Sequence, residues 1–341
     1  MKGGAARSVG VALIAVAAGL LVLVAGLEAG GYDAVTALGA LWHGAFGSWD
    51  AFASATLVRA TPLVIIGLGF ALGLRGGALN IGAEGQFYAG AIGATWIGGM
   101  AAGWGAPLAI GASWAAALIA GALWMVVPVV LRMRFGVLEV ISTLLLNFVA
   151  EALVSLMVQG PLQEHTHIYP QSEPIAAAAR LPVVPGTRLH LGFAAALLLA
   201  VALWYGFART LWGFRLRAAG LSPRAATVSG RIDVPRLTAC ALLGSGAIAG
   251  LAGGIEVGGV SYALYQNLSP GYGFTAIAVA LLARLRPLWI VGSGVLFGAL
   301  EAGAGGMQRE AGVPAVMVYV VEAVIILVVL LADVAARRRR T

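Results

Sequence analysis

The sequence predicts an all-α polytopic membrane protein of about ten transmembrane helices, and three observations carry that reading. Hydrophobic residues make up 60% of the 341 and charged residues only 10%, where a soluble domain carries about 25% charged. Apolar runs near the ~20 residues needed to cross hydrocarbon recur along the whole chain. Threaded alternately through a bilayer, those runs place nearly all basic residues on one side.

The runs lie at roughly 9–27, 51–72, 87–103, 107–131, 137–158, 191–207, 237–260, 274–283, 288–306 and 314–333. The first follows Lys2 and Arg7 and is long for a signal peptide, so an uncleaved first helix is expected. The run at 274–283 is short enough for a half-helix. With the N-terminus inside, 17 of the 21 basic residues face the cytoplasm, including Arg75, Arg132, Arg134, Arg284, Arg286 and Arg337 to Arg340. Both termini are therefore expected in the cytoplasm. The terminal arginine run is expected to meet anionic lipid headgroups.

No soluble appendage is expected, so residues 1–341 read as one transmembrane domain with two long loops. One, 159–190, falls outside and holds His165, His167 and His190; the other, 208–236, falls inside and is basic. The net charge of +7 resides in short loops between spans, a pattern that sets orientation and gives no reason to expect nucleic acid. Cys240 stands alone in an apolar stretch and reads as a small buried side chain. His165 and His167 lack a third ligand, so no metal site is expected.

The sequence excludes a motor of its own. Lys2 is the single lysine, and a phosphate-cradling GxxxxGK[ST] loop cannot be built without one after its glycines. Neither HExxH nor GxSxG occurs, so hydrolytic chemistry has no recognisable centre. Any ATP, with its magnesium, belongs on another polypeptide.

Four segments break the apolar pattern. LRGGALNIGAEGQ, 74–86, sets Asn80, Glu84 and Gln86 near membrane depth, with Gly76, Gly77 and Gly82 permitting irregular backbone. Such backbone survives at depth only when buried in protein or lining a cavity. In LEVISTLLLNFVAE, 138–151, Glu139, Thr143, Asn147 and Glu151 stack at i, i+4, i+8 and i+12 on one helical face. A polar stripe of this kind lines a pathway or hydrogen-bonds a neighbouring helix. SYALYQNLSPGYGF, 261–274, offers Gln266, Asn267, Ser269, Tyr272 and Phe274, suited to a polar ring or sugar, although its tyrosines equally suit an aromatic belt. In the inside loop, Ser222 reads as the N-cap of a short helix over 223–230, with Arg217, Arg224 and Arg231 around it. Separately, Gly246, Gly250, Gly254 and Gly258 repeat every four residues and predict a close helix contact. The segments 74–86 and 261–274, on opposite sides, suggest an inverted pseudo-repeat of spans 2–5 and 7–10 with the substrate site between them.

Taken together, GALNIGAEGQ (77–86), EVISTLLLNFVA (139–150), RAAGLSPRAATVSGRI (217–232) and SPGYGFTAIAVALLA (269–283) resemble the permease subunits of bacterial ABC importers for nucleosides and simple sugars. The resemblance runs in order over nearly the whole chain. It implies a permease that forms the translocation path for a nucleoside or related sugar in the inner membrane. The expected partners are a second permease, identical or paralogous, a separate ATPase and an extracytoplasmic binding protein. It also implies Asn80, Glu84, Gln86, Asn147 and Tyr272 to Phe274 as candidates for the pathway, to which the polar segments themselves add Glu139, Thr143, Gln266, Asn267 and Ser269. Arg217, Gly220, Pro223, Arg224, Gly230 and Arg231 would couple to the ATPase. Thr275 and the turn at Arg284 to Pro287 depart from the family pattern. The alternative is a secondary transporter or channel for a small polar solute, which would need a coupling-ion site such as Glu84, Glu139 or Glu151.

Overall fold

The computed structural model describes residues 2–228, 232–314 and 316–338. Six helical stretches are long and apolar enough to cross a membrane, 51–75, 106–135, 139–158, 191–209, 234–261 and 287–311. They divide by burial into two kinds. The stretch 51–75 is 89% buried inside the chain, comprising a π-helical turn (Ala51–Leu57) that runs into helix α3 (Val58–Arg75). A helix hydrophobic on all sides and surrounded by others is a core helix. By contrast, α5 (Ala106–Phe135), α6 (Glu139–Val158) and α7 (Leu191–Arg209) are only 28%, 28% and 22% buried. Their apolar outer faces suit lipid.

Around α3 pack α10 (Val234–Glu256), α11 (Tyr272–Leu282) and α12 (Pro287–Ala311). Helix α4 (Ala83–Met100) lies between α5 and α10. The expected glycine face on α10 is the reason these helices come so close. A Cβ on Gly250 would stand 2.4 Å from the Ala117 carbonyl oxygen, and one on Gly246 2.7 Å from that of Gly121. Gly253, off that repeat, meets Phe87 of α4 at 2.0 Å by the same measure. Backbone-to-backbone approach of this kind is how membrane helices gain packing without a hydrophobic driving force.

Helix α1 (Lys2–Ala29) pairs with α13 (Val316–Arg338) at the periphery. Between α1 and α3 lies an unforeseen helix, α2 (Ala34–Phe46), capped by the Asp33 side chain, which accepts from the Val35 N–H. At 13 residues it reaches only ~20 Å and packs on α12 through Gly303 and Gly306. The inside loop forms α8 (Leu211–Leu221), capped by Thr210, and α9 (Pro223–Val228). The sequence reading captured α9 but not α8. Cys240, expected to be buried, is exposed on α10.

Contacts sort the loops into two ends. At one, Ala176 bonds the Gly98 carbonyl, Leu181 that of Gly258, Ile175 that of Tyr262, and the Arg188 N–H the Ser54 hydroxyl. At the other, the Arg75 guanidinium donates to the Leu285 carbonyl at 2.8 and 3.1 Å and covers the Phe207 ring, while Thr238 donates to the Gly76 carbonyl.

Candidate functional site

The first broken segment, 76–82, climbs inward beside α10. The Thr238 hydroxyl bonds the Gly76 carbonyl, and Ser245 accepts from the Asn80 amide at 2.9 Å. Seven residues of helix separate those partners, so the segment rises ~10 Å into the protein. Gly77 takes φ +82°, open to glycine without steric penalty. Side chains satisfy the backbone that has left the helix. Asn80 and Gln86 exchange hydrogen bonds at 2.8 and 3.0 Å, and the Asn80 oxygen also accepts from the Gly82 N–H. Both are 1% exposed.

The polar stripe on α6 faces this segment. Glu139 accepts from the Leu79 N–H at 3.3 Å and pairs with Arg132 at 2.5 Å. Thr143 accepts from the Ile81 N–H. Asn147 accepts from Gly85 N–H at 2.8 Å and donates to the Ile81 carbonyl at 3.0 Å. Three of the four stripe residues thus match the broken backbone group for group.

The second broken segment, 262–271, descends from the opposite end. Tyr262 and Asn267 sit in the left-handed region at φ +57° and +56°. The Ser269 hydroxyl accepts from the Gly271 and Tyr272 N–H groups and so starts α11. The two segments then meet, as Glu84 in the first turn of α4 accepts from the Gly273 N–H at 2.6 Å. Two helix N-termini converge on one carboxylate, the favourable pole of both dipoles. Phe87 and Tyr272 pack edge to face beside it, ring centroids 6.0 Å apart.

Two polar cavities flank the second segment. One, about 340 Å³, is lined by Tyr88, Phe148, Glu151, Ser155, Gln266 and Asn267 among others. The other, about 330 Å³, is bordered by Arg59, Pro270, Tyr272, Glu301, Gln308 and Tyr319. Of the expected pathway residues, Gln266 and Asn267 border the first and Tyr272 the second. Asn80, Glu84, Gln86, Thr143, Asn147 and Ser269 are buried in hydrogen bonds at or behind the junction, and Glu139 is held at the start of α6 by Arg132. Phe274 is 46% exposed and borders neither cavity. The sequence reading missed Tyr88, Phe148 and Ser155. Ser155 continues the stripe one more step of four, and Tyr88 stands four after Glu84, so the periodicity already contained both.

In the inside loop, Arg217, Pro223 and Arg224 are exposed. Gly220 has a different part: a Cβ there would stand 2.3 Å from the Arg75 carbonyl oxygen. Its lack of a side chain seats α8 on the end of α3. Gly230 and Arg231 lie outside the described residues. In the outer loop, His165 pairs with Glu173, which holds the imidazole above its ordinary pKa and the carboxyl below its own. His190 caps α7, where burial pushes it down to about 4. Among the described residues, no group of three His, Cys, Asp or Glu could hold a metal ion.

A helical membrane bundle in which two broken segments meet beside polar cavities is the build of a solute permease. Residues 52–330 match the family described as "Branched-chain amino acid transport system / permease component", and the chain belongs to that family. It is a multi-pass inner-membrane permease component of an ABC-type importer and not an enzyme; ATP is hydrolysed on a separate subunit. The chain is 35% identical to the guanosine ABC transporter permease protein NupP of Bacillus subtilis (strain 168), over 91% of each chain. It is 34% identical to the glucose ABC transporter permease protein TsgB13 of Haloferax volcanii, over 83% of this chain and 77% of that one. It is 30% identical to the nucleoside ABC transporter permease protein NupB of Lactococcus lactis subsp. cremoris, over 94% and 90%. No solved structure matches it.

Proposed function

We propose that this chain forms the translocation pathway for a nucleoside or a related sugar. The carrying observation is the 35% identity to a guanosine permease across 91% of both chains. The amide-bearing, aromatic-walled cavity of about 340 Å³ supports it, lying at the small end of the ~300–1,000 Å³ typical of small-molecule sites. In the working importer a paralogous permease stands alongside, a binding protein delivers substrate from outside, and an ATPase docks inside.

Gln266, Asn267, Tyr272 and Phe274 border the route in this reading. Asn80, Glu84, Gln86, Glu139, Thr143, Asn147 and Ser269 hold the junction in shape. The exposed Arg217, Pro223 and Arg224, together with Gly230 and Arg231, receive the ATPase, and Gly220 transmits the push to α3 through its seat on Arg75. Residues 1–341 act as one transmembrane domain of ten spans with both termini in the cytoplasm. An inverted pseudo-repeat is supported by the shared order of long helix, broken segment and N-terminus at the junction. In the first half these are α3, 76–82 and α4; in the second they are α10, 262–271 and α11.

Uptake by the assembled importer, competed with a panel of unlabelled nucleosides, pentoses, glucose and branched-chain amino acids, tests the proposal. A nucleoside or sugar should compete at the lowest concentration. Competition by amino acids alone would overturn it.

A further inference from the structure

Glu84 stands on α4 and Glu139 and Glu151 on α6, and the first two have partners. Glu84 accepts from Gly273, and Glu139 pairs with Arg132. Glu151 differs: among the described residues it makes no hydrogen bond or ion pair, and it borders the cavity of about 340 Å³. Glu151 is exposed at the rim of that cavity, so its oxygens are open to something that supplies donors. What surrounds it narrows what that something is.

Ser155 sits one turn further along α6 on the same face. Its hydroxyl oxygen accepts from Gln159 at 2.7 Å and from Gln266 at 2.7 Å. A serine hydroxyl has two acceptor sites and one hydrogen, so with both acceptor sites filled only its hydrogen remains to be offered. Gln266, having given an N–H to Ser155, keeps its carbonyl oxygen as an acceptor. Asn267 adds an amide from a left-handed turn at φ +56°. Tyr88 accepts from the Ser269 N–H at 3.4 Å and retains its own hydrogen. Phe148, on the far wall, is 63% exposed, so the cavity opens sideways on this chain.

We propose that this cavity is a recognition subsite for the vicinal diol of a sugar ring. This rests on the nucleoside or sugar reading above and adds the group recognised and the residues that recognise it. Two adjacent hydroxyls donate to the two oxygens of Glu151 in the bidentate manner that suits a carboxylate. Their oxygens accept from Ser155 and the Asn267 amide. The aromatic walls, Tyr88 and Phe148, cover the apolar face of the ring or base. Neither Ser155 nor Glu151 has another ligand-facing duty, so the subsite is separable from the junction that holds the fold.

The test is equilibrium binding to the permease–ATPase complex in lipid nanodiscs without the binding protein, so that the permease alone discriminates. The probes are guanosine and 2′,3′-dideoxyguanosine, with inosine and its dideoxy analogue as a second pair. Hydrogen bonds to a charged group set the expected preference for the diol at about ten- to a hundredfold. Glu151→Gln, nearly isosteric, should bring that ratio close to one while leaving dideoxy binding and thermal unfolding unchanged. Ser155→Ala should lower the ratio by a smaller factor of about three to ten. Equal affinities in the unaltered complex, a ratio unmoved by Glu151→Gln, equal weakening of both probes, or binding of neither would overturn the proposal. Nucleoside uptake by the full importer in the face of any of these results would sink the subsite alone; failure of that uptake would sink the transport reading with it.

Discussion

The two broken segments meet at Glu84 and Gly273, yet they are built on opposite principles. The first, 76–82, is closed. Its backbone groups are matched by Thr238, Glu139, Thr143 and Asn147, its amides bond each other and Ser245, and neither of the two polar cavities borders it. The second, 262–271, is open. It is pinned at its outer end, where Ser172 accepts from the Leu264 N–H and Ile175 donates to the Tyr262 carbonyl. Beyond that it passes between two polar cavities. Irregular backbone at membrane depth has two ways to survive, burial against matched side chains or exposure to a wet cavity. This protein uses one in each half. The lesson is that a polar residue at depth does not by itself mark a route, because a route also needs room.

The contrast can be broken most forcefully at Asn147. Asn147→Leu would orphan the Gly85 N–H and the Ile81 carbonyl in the closed segment. At about 1–3 kcal/mol for each of the two unsatisfied groups, a loss of roughly 2–6 kcal/mol is expected. Thermal unfolding of the purified protein in detergent would register it, together with reduced recovery of the assembled importer. A variant of native stability with selectively impaired uptake would instead place Asn147 in the route.

Gln266 tests the open side. Gln266→Ala removes the donor to Ser155 at a cavity wall and orphans no buried backbone. Stability should change by less than about 0.5 kcal/mol, as for most accessible positions, while uptake at limiting substrate falls about tenfold. Unfolding at a much lower temperature would show that this segment is a packed element like its counterpart.

The smallest effect belongs to the outer loop. Pairing raises His165 above 6.5 and lowers Glu173 below 4.5. The histidine's contribution is complete below its unfolded pKa and fades as pH rises through its raised value. The glutamate's is complete above its unfolded pKa and fades as pH falls through its lowered one. Order in the 164–173 lobe should therefore be greatest between about 4.5 and 6.5 and decline at alkaline pH. Both groups are exposed, so the change will be slight. Limited proteolysis across pH would follow it, and His165→Ala should flatten the profile. His190 acts in the opposite sense: burial lowers it from 6.5 to about 4, so its contribution is complete above 6.5 and is lost as pH falls toward 4.

Much of the site was legible and some was misread for a reason that can be named. The stripe of Glu139, Thr143, Asn147 and Glu151 does share one face, as i+4 spacing requires. Spacing says which residues face together but not what they face. Three face the broken backbone and the fourth a cavity. Gly220 looked like part of a docking surface because it lies among arginines, yet its neighbour is the Arg75 carbonyl, 145 positions away in sequence. Helix α2 was passed over because it is too short to span, and α8 because its apolar residues carry no clear period. The turn at Arg284 and Leu285, with φ +50° and +58°, has no glycine to announce it; its Leu285 carbonyl is held by Arg75.

The sequence by itself determined that the protein lives in lipid and where its helices must break. Composition, run length and charge position are local properties, and the bilayer reads them locally. Only the tertiary structure decided which polar groups hold the fold and which stand beside open space. Whether a side chain finds a backbone partner or a cavity depends on segments far off in the chain, brought close by glycine contacts whose partners no spacing rule identifies.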